Sequence, residues 1–371
     1  MATSKRKAKT SAESTTKKLV ALGQAVVKEI QAGVDPLIEI PSRSLGNITF
    51  DEERSIIELG DQKQQRQLFN VGHARKFMQT FLIAAACKDL IAEGKTTSIR
   101  DLYYITKHTL GKTRQNTFEE QEESDPIIED LEVTIDTLRE ELNLFASNRG
   151  SMVGPMTIGD TGDTIDLRHL GSGGWSVPSI VEDNVVQFGR HEAKFILLVE
   201  KDAVWRRLNE DKFWVKNRCV LLHGQGMAPR GVRRLLYRMH NELKLPIYVL
   251  VDNDPWGFYI YSVVKQGSIN LAYESVRMAV PAARFIGLSS MDRDQFHLPD
   301  NVTIRLDDQD ERRAKQMLEY PWFNKRTWQR EIRTMLRNKV KLELEALSSR
   351  GISFISEEYL PKKLKDKQWL A

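Results

Sequence analysis

Residues 246–257, PIYVLVDNDPWG, decide the fold. A β-rich apolar run, IYVLV, stops abruptly at two aspartates, a proline and a glycine. Short apolar runs bounded by turn residues mark strands buried on both faces. Two similar runs precede it, KFILLVEKD at 194–202 and CVLLHGQG at 219–226. Between the second and third lies an amphipathic stretch, APRGVRRLLYRMHNELK at 228–244, and ARFIGLS at 283–289 supplies another strand candidate. Strands alternating with helices imply a mostly parallel, Rossmann-like sheet. The expected class is α/β and multidomain, with this sheet in the C-terminal part.

Ligands of parallel α/β sheets collect beyond the C-terminal ends of the strands. Three acids stand there: Glu200 after FILLV, and Asp252 and Asp254 after YVLV. In an extended segment D-x-D points both side chains to one side. Three carboxylates gathered in this way repel one another unless a hard cation lies between them. Oxygen ligands without Cys or His favour Mg²⁺. D-N-D-P-x-G is equally good turn chemistry, so the pair alone reads as well as a turn. Glu200, and the glycine-bearing loop GQGMAPRG at 224–231, favour a site. Its backbone N–H groups are candidates to approach a phosphate. Arg230, Arg233 and Arg234 follow as candidate phosphate contacts, or as a solvated helix face.

Upstream the texture differs. Residues 1–17 are basic and polar and read as a disordered arm; 18–33 space apolar residues as a short helix. Pro36 and Pro41 enclose an extended segment, and ITFDEERSIIELG at 48–60 reads as a β-hairpin. Residues 71–93 form a helix with Phe77, Phe81, Ala84 and Ala85 on one face, ended by Gly94. Ser98 caps a second helix over 100–110. Helix, short turn, helix is the core of a winged-helix unit. A further helix is expected over about 126–148, a turn-rich β segment over 149–174, and a charged helix over 326–349 before a lysine-rich tail.

That second helix carries RDLYY, residues 100–104. R-D-[IL]-Y-Y resembles the active-site motif of topoisomerase VI A subunits and of the related meiotic double-strand-break transesterases. IEIPSRSLGNI, NVGHARKFMQT, NTFEEQEESDPIIEDLE, ELKLPIYVLVDNDPWG and YPWF resemble the archaeal-type A subunits, from about residue 36 to the end. The Glu followed by D-x-D resembles the Toprim metal-binding fold. Toprim domains also occur in primases and nucleases, so that motif alone does not choose.

The resemblance implies that Tyr104 is the nucleophile, forming a 5′-phosphotyrosyl link. Arg100, one helical turn earlier, is placed to stabilise the phenolate or a phosphate oxygen. Tyr103 is assigned to packing. His108, four residues on, is a candidate proton acceptor, although an exposed helix histidine describes it better. Family architecture implies a homodimer of A subunits, each tyrosine working with the other protomer's metal site. It also implies an A2B2 heterotetramer with an ATPase B subunit that carries the ATP, and a double-stranded DNA substrate. Residues 18–70 resemble the B-docking part, 71–150 the winged-helix domain with the tyrosine, 151–190 a β-rich linker, and 191–371 the Toprim domain.

Composition is compatible with this. The chain has 371 residues, 41% hydrophobic and 29% charged, with 55 Lys plus Arg against 51 Asp plus Glu. A net charge of +4 permits a nucleic-acid partner without demanding one. Cys87 and Cys219 sit in apolar runs and read as buried small hydrophobes, which suits a reducing compartment; the family resemblance implies a cytoplasmic, nucleoid-associated location. No run approaches a membrane span or secretory signal. Walker A and H-E-x-x-H sequences are absent. Competing readings are a transesterase without strand passage, a Toprim nuclease or primase without a tyrosine intermediate, and a non-catalytic DNA-binding module.

Overall fold

The apolar runs become the middle of one sheet. A computed structural model of the chain describes residues 2–371, with side chains from residue 12 onward. Two compact units divide it: Met1–Thr49 with Leu59–Ser147, and Phe50–Glu58 with Asn148–Ala371. Among the described residues, no helix is long and apolar enough to cross a membrane.

In the first unit α1 spans Ala2–Gln31. This corrects the expectation of an arm over 1–17 and a helix starting at 18. Apolar spacing marks only the packed face of a helix, whereas Lys, Ala and Glu are good helix formers without one. Thr15 and Leu19 are buried. Then come β1 (Leu37–Pro41), the hairpin strands β2 (Ile48–Asp51) and β3 (Ile56–Leu59), and β4 (Lys63–Gln67), which returns antiparallel to β1. The hairpin falls where expected; its tip, Phe50–Glu58, groups with the second unit.

Helix α2 (Val71–Glu93) is capped by Asn70, whose side chain accepts from Gly72 N–H, and ends at Gly94 in the left-handed conformation, φ 64°. Its buried face is Phe77, Thr80, Ile83, Ala84 and Cys87; Ala85, expected there, is exposed. The two-residue β5 (Thr97–Ser98) leads into α3 (Ile99–Thr106), where Ser98 Oγ accepts from Asp101 N–H at 3.0 Å. This helix stops four residues short of the expected end. Thr106 bonds back to the Leu102 carbonyl, and the chain turns to pair Thr109 with Asn116.

Helix α4 (Ser124–Thr134) also ends early, against the expected run to 148. The β-branched run Val133-Thr134-Ile135 weakens it, and Asp136 adopts φ 43°. A 3₁₀ turn at Arg139–Leu142 and β6 (Leu144–Phe145), parallel to β5, come next.

Asp130 on α4 binds the Arg43 guanidinium at 2.9 Å and the buried Arg66 of β4. Breaking a buried pair strands a charge without a partner. Asp130→Ala is therefore expected to destabilise the protein by about 3 kcal/mol or more. A chemical denaturation midpoint indistinguishable from wild type would contradict this.

In the second unit β7 (Ser151–Val153), β8 (Met156–Asp160), β9 (Asp163–Asp166), β10 (Trp175–Ser176) and β11 (Val186–His191) come first. This segment, expected as a linker, builds structure. Strands β11, β8 and β9 form an antiparallel three-stranded sheet, while β7 and β10 extend the main one. The main sheet runs β10-β7-β13-β12-β14-β15, using β12 (Phe195–Val199), β13 (Cys219–His223), β14 (Ile247–Leu250) and β15 (Arg284–Gly287). The last four are mutually parallel, and β7 is antiparallel to β13.

Helices α5 (Asp202–Glu210), α6 (Phe213–Asn217), α7 (Arg230–Leu243) and α8 (Pro255–Gln266) alternate with these strands. Leu197, Val199, Leu221 and Leu250 pack with Trp205, Phe213 and Tyr359 on one face. Ile196, Leu198, Val220 and Val249 are buried too. On α8, Phe258 and Tyr261 each sit 5.5 Å from the Phe285 ring. Burial on both sides is why these strands read as unbroken apolar runs.

The C-terminal part holds α9 (Ser275–Met278), α10 (Asp292–Gln295), β16 (Ile304–Arg305), α11 (Asp308–Glu319), α12 (Arg326–Asn338), β17 (Val340–Lys341) and α13 (Leu360–Lys365). The expected helix over 326–349 ends at Asn338. Lys339 turns left-handed at φ 53°, and β17 pairs with β16. Leu342 then pairs with Asn253, which brings the chain against the acidic loop. The tail is ordered: Leu370 pairs with Phe285, and Trp369 lies 5.2 Å from Tyr248.

Candidate active site

Glu200 and the two aspartates leave adjacent parallel strands. Val199 pairs with Leu250, and Glu200 N–H donates to the Leu250 carbonyl at 3.1 Å. The next residues on both strands are therefore brought together. Asp252 is 5% exposed; its Oδ1 accepts from Leu344 N–H at 2.7 Å, and its Oδ2 lies 2.9 Å from the Lys201 ammonium. Lys201 also reaches Glu345 at 2.6 Å and Glu343 at 3.2 Å. Burial disfavours its charge, yet these carboxylates hold its pKa above the usual value.

Asp254 caps α8, accepting from Gly257 N–H at 2.5 Å. A Cβ on Gly257 would meet the Asp252 carbonyl at 2.4 Å, so only glycine fits. D-N-D-P-W-G thus starts a helix rather than closing a turn, and the cap fixes the Asp254 side chain. Asn253 fastens the loop from behind: its amide donates to Glu331 Oε1 at 2.9 Å and to the Leu288 carbonyl at 3.2 Å. Glu331 also accepts from Ser290 N–H.

Burial, then Asp252 and Asp254, push the Glu200 carboxyl up to about 7. Burial raises Asp252 to about 6 despite Lys201, and burial raises Asp254 too. Glu200 Oε2 is buried without a hydrogen-bond partner. An orphaned buried carboxylate oxygen beside two more carboxylates fits a divalent cation and oxygen-only ligation. No three-ligand group is gathered at coordinating distance among the described residues. Mg²⁺ takes one or two protein carboxylates and keeps several waters, so Glu200 with the aspartate pair suits it without a closed cage.

The Glu200 shift has a measurable consequence. Between its ordinary 4.5 and about 7, the folded chain keeps a proton that the unfolded chain has released. Raising the pH through this window destabilises the metal-free fold; the cost is absent below it and complete above it, bounded by about 3 kcal/mol. In EDTA, Glu200→Gln is expected to melt with wild type near pH 4.5 and above it at pH 8. A stability gap that stays constant over this range would remove the argument.

The arginines fare differently. Arg230 and Arg233 both pair with buried Glu274, and Arg233 is itself 4% exposed. Arg234 grips Glu182 with two hydrogen bonds of 2.8 Å and the Arg277 carbonyl with a third. The structure thus pairs these three residues, expected as DNA phosphate contacts, with acids and a carbonyl that join α7 to the rest of its unit. The glycine loop is also bonded internally. Gly224 N–H donates to the Val199 carbonyl at 2.9 Å and Gly226 N–H to the Glu200 carbonyl at 3.1 Å. It braces Glu200 instead of presenting those donors to a phosphate.

Sequence reasoning missed Lys201, Glu331 and His223. His223 ends β13 opposite Val199 and is 1% exposed. Its signal was present, because it ends its apolar run as Glu200 ends FILLV.

In the first unit the two tyrosines differ in burial. Tyr103 is 6% exposed; its hydroxyl donates to the Glu119 carbonyl at 2.8 Å and accepts from Lys107 at 2.6 Å. Tyr104 is 60% exposed, its ring edge-on to Tyr103 at 5.0 Å. Arg100, one turn earlier on α3, is exposed as well. His108 lies beyond the helix end at Thr106, so its expected place on that helical face is corrected.

Family models match three stretches. The Toprim domain of the topoisomerase 6 A subunit and Spo11 covers 195–364, the type IIB DNA topoisomerase model covers 75–144, and the all-beta domain of the DNA topoisomerase VI alpha subunit covers 148–192. The A subunit of a type 2 DNA topoisomerase 6 from Pyrococcus abyssi is 43% identical over 360 residues, covering 94% of each chain. Its counterpart from Aeropyrum pernix is 40% identical over 368 residues, covering 93% of this chain and 92% of its own. The DNA topoisomerase 6 A subunit of Arabidopsis thaliana is 34% identical over 348 residues, covering 93% of this chain and 79% of its own. The acid-bearing parallel sheet is thus a Toprim domain, within an enzyme of the type II DNA topoisomerase class. The chain belongs to the family of topoisomerase 6 A subunits.

Proposed function

We propose that this chain is the DNA-cleaving and religating subunit of an ATP-dependent type IIB topoisomerase, with Tyr104 as nucleophile. One observation carries the reading: of two adjacent tyrosines, one is anchored in the core and the other presents its phenol to solvent. The Tyr104 oxygen attacks a backbone phosphorus, the bond to O3′ breaks, and the 5′ phosphate stays on the enzyme. Reversal reseals the strand without external energy. Arg100 offers a guanidinium one turn away, suited to a phosphate oxygen or the phenolate. Glu200, Asp252 and Asp254 would hold a divalent ion, assigned as Mg²⁺, which would supply polarisation of a phosphate oxygen. Lys201 and Leu344 N–H fix Asp252, and Gly257 N–H fixes Asp254, so both carboxylates are held in set orientations.

Strand passage needs an energy source. We assign it to a separate ATPase B subunit in an A2B2 assembly built on a dimer of this chain, with each tyrosine serving the partner's acids. Residues 18–70 are the proposed docking region; exposed Val34 and Phe69 support this. The winged-helix role of α2 and α3 belongs to the same proposal. Mixed with a family B subunit, ATP and Mg²⁺, the chain is expected to relax supercoiled duplex DNA and to separate linked circles. Nicking or linearisation that leaves no protein on the ends would favour a Toprim nuclease instead.

A further inference from the structure

An open cavity of about 510 Å³ lies at the C-terminal ends of β12 and β13, with Glu200, Arg206, His223 and Gln225 among its lining residues. His223 has hydrogen-bond partners for neither ring nitrogen, and Glu200 Oε2 has none. Asp202 Oδ1 stays 3.8 Å from Nδ1, too far for a hydrogen bond. The Glu200 main chain lies close without completing one. The ring face is taken by Trp205, with centroids 6.1 Å apart.

Buried polar groups are nearly always paired, so the unpartnered imidazole lining this cavity describes its occupant, while Glu200 Oε2 is left to the proposed ion. A neutral imidazole presents one N–H and one lone pair. The complementary group accepts one hydrogen bond and donates another, as a hydroxyl does. Transesterification by a tyrosine releases a hydroxyl of this kind.

We propose that His223 contacts O3′ of the cut strand, donating its N–H to that oxygen as the P–O3′ bond breaks; this rests on the Tyr104 reading above. The bond from the Tyr104 oxygen to phosphorus forms, and the electron pair of the broken bond goes to O3′. The phenol proton leaves to solvent and O3′ gains one from solvent, so His223 is neutral before and after. During religation the same contact holds O3′ for its return attack.

The test uses the full chain with its ATPase partner, Mg²⁺ and two duplexes that differ at one mapped cut site, carrying O3′ or a bridging sulfur. A thiolate leaves without help from a hydrogen-bond donor. His223→Phe keeps a ring against Trp205 and removes both nitrogens. On the O3′ duplex it is expected to slow adduct formation on the order of tenfold to a hundredfold. On the sulfur duplex it is expected to match wild type, with DNA affinity and melting unchanged. His223→Gln, which keeps a donor, is expected to recover part of the O3′ rate. Equal losses on both duplexes, or no loss on either, would overturn the contact. A wild-type chain that forms no Tyr104 adduct on either duplex would remove the tyrosine reading, and this inference with it.

Discussion

Tyr104→Phe is expected to abolish covalent DNA capture, a loss on the order of 10⁴-fold or more, as for other removed nucleophiles. Only an exposed hydroxyl is deleted; the ring keeps its edge contact with Tyr103. Melting and DNA affinity are therefore expected to match wild type. Tyr103→Phe is the informative contrast. It deletes the hydroxyl that binds the Glu119 carbonyl and Lys107, which costs about 1 kcal/mol of stability and leaves capture in place. Adducts on denaturing gels with end-labelled DNA read both variants. Capture that survives in the Tyr104 variant and disappears in the Tyr103 variant would exchange their roles.

Asp252→Asn carries the second large effect. The asparagine oxygen still accepts from Leu344 N–H, so the loop stays fastened there. Lost are a negative charge and the ion pair to Lys201. Capture at saturating Mg²⁺ is expected to fall on the order of 10²-fold, the size of effect seen when one transition-state electrostatic contact is removed. Half-saturation is expected to move to higher Mg²⁺. Superimposable Mg²⁺ titrations for the two proteins would show that Asp252 does not serve an ion. The metal requirement should also ease as the pH rises through 6 to 7, because Asp252 and Glu200 must lose their protons to bind one.

The sheet was legible because burial on both faces forces apolar runs, and acids ending such runs stand out. RDLYY drew attention to the tyrosine pair, and Ser98 announced the start of α3. Helix ends were harder. Those of α3, α4 and α12 are set by the segments after them: the Thr109–Asn116 pairing, Asp136 at φ 43°, and β17 turning toward the acidic loop. The acid partners of Arg230, Arg233 and Arg234, Glu274 and Glu182, lie some 40 to 50 residues away in sequence. Spacing on one helix does not show such pairings. Lys201 and Glu331 were hidden for the same reason, since each acts through groups on distant segments.

The most direct test is to locate the bond itself. The chain, its B subunit, ATP, Mg²⁺ and supercoiled DNA are mixed, denatured and digested with nuclease and trypsin, and the nucleotide-bearing peptide is sequenced by mass spectrometry. The expected product is the peptide over residues 101–107, DLYYITK, with a 5′-linked nucleotide on Tyr104, formed in Mg²⁺ and absent in EDTA. A nucleotide on any other residue, or an equal yield in EDTA, would contradict a phenol and a carboxylate-held ion acting on one phosphate.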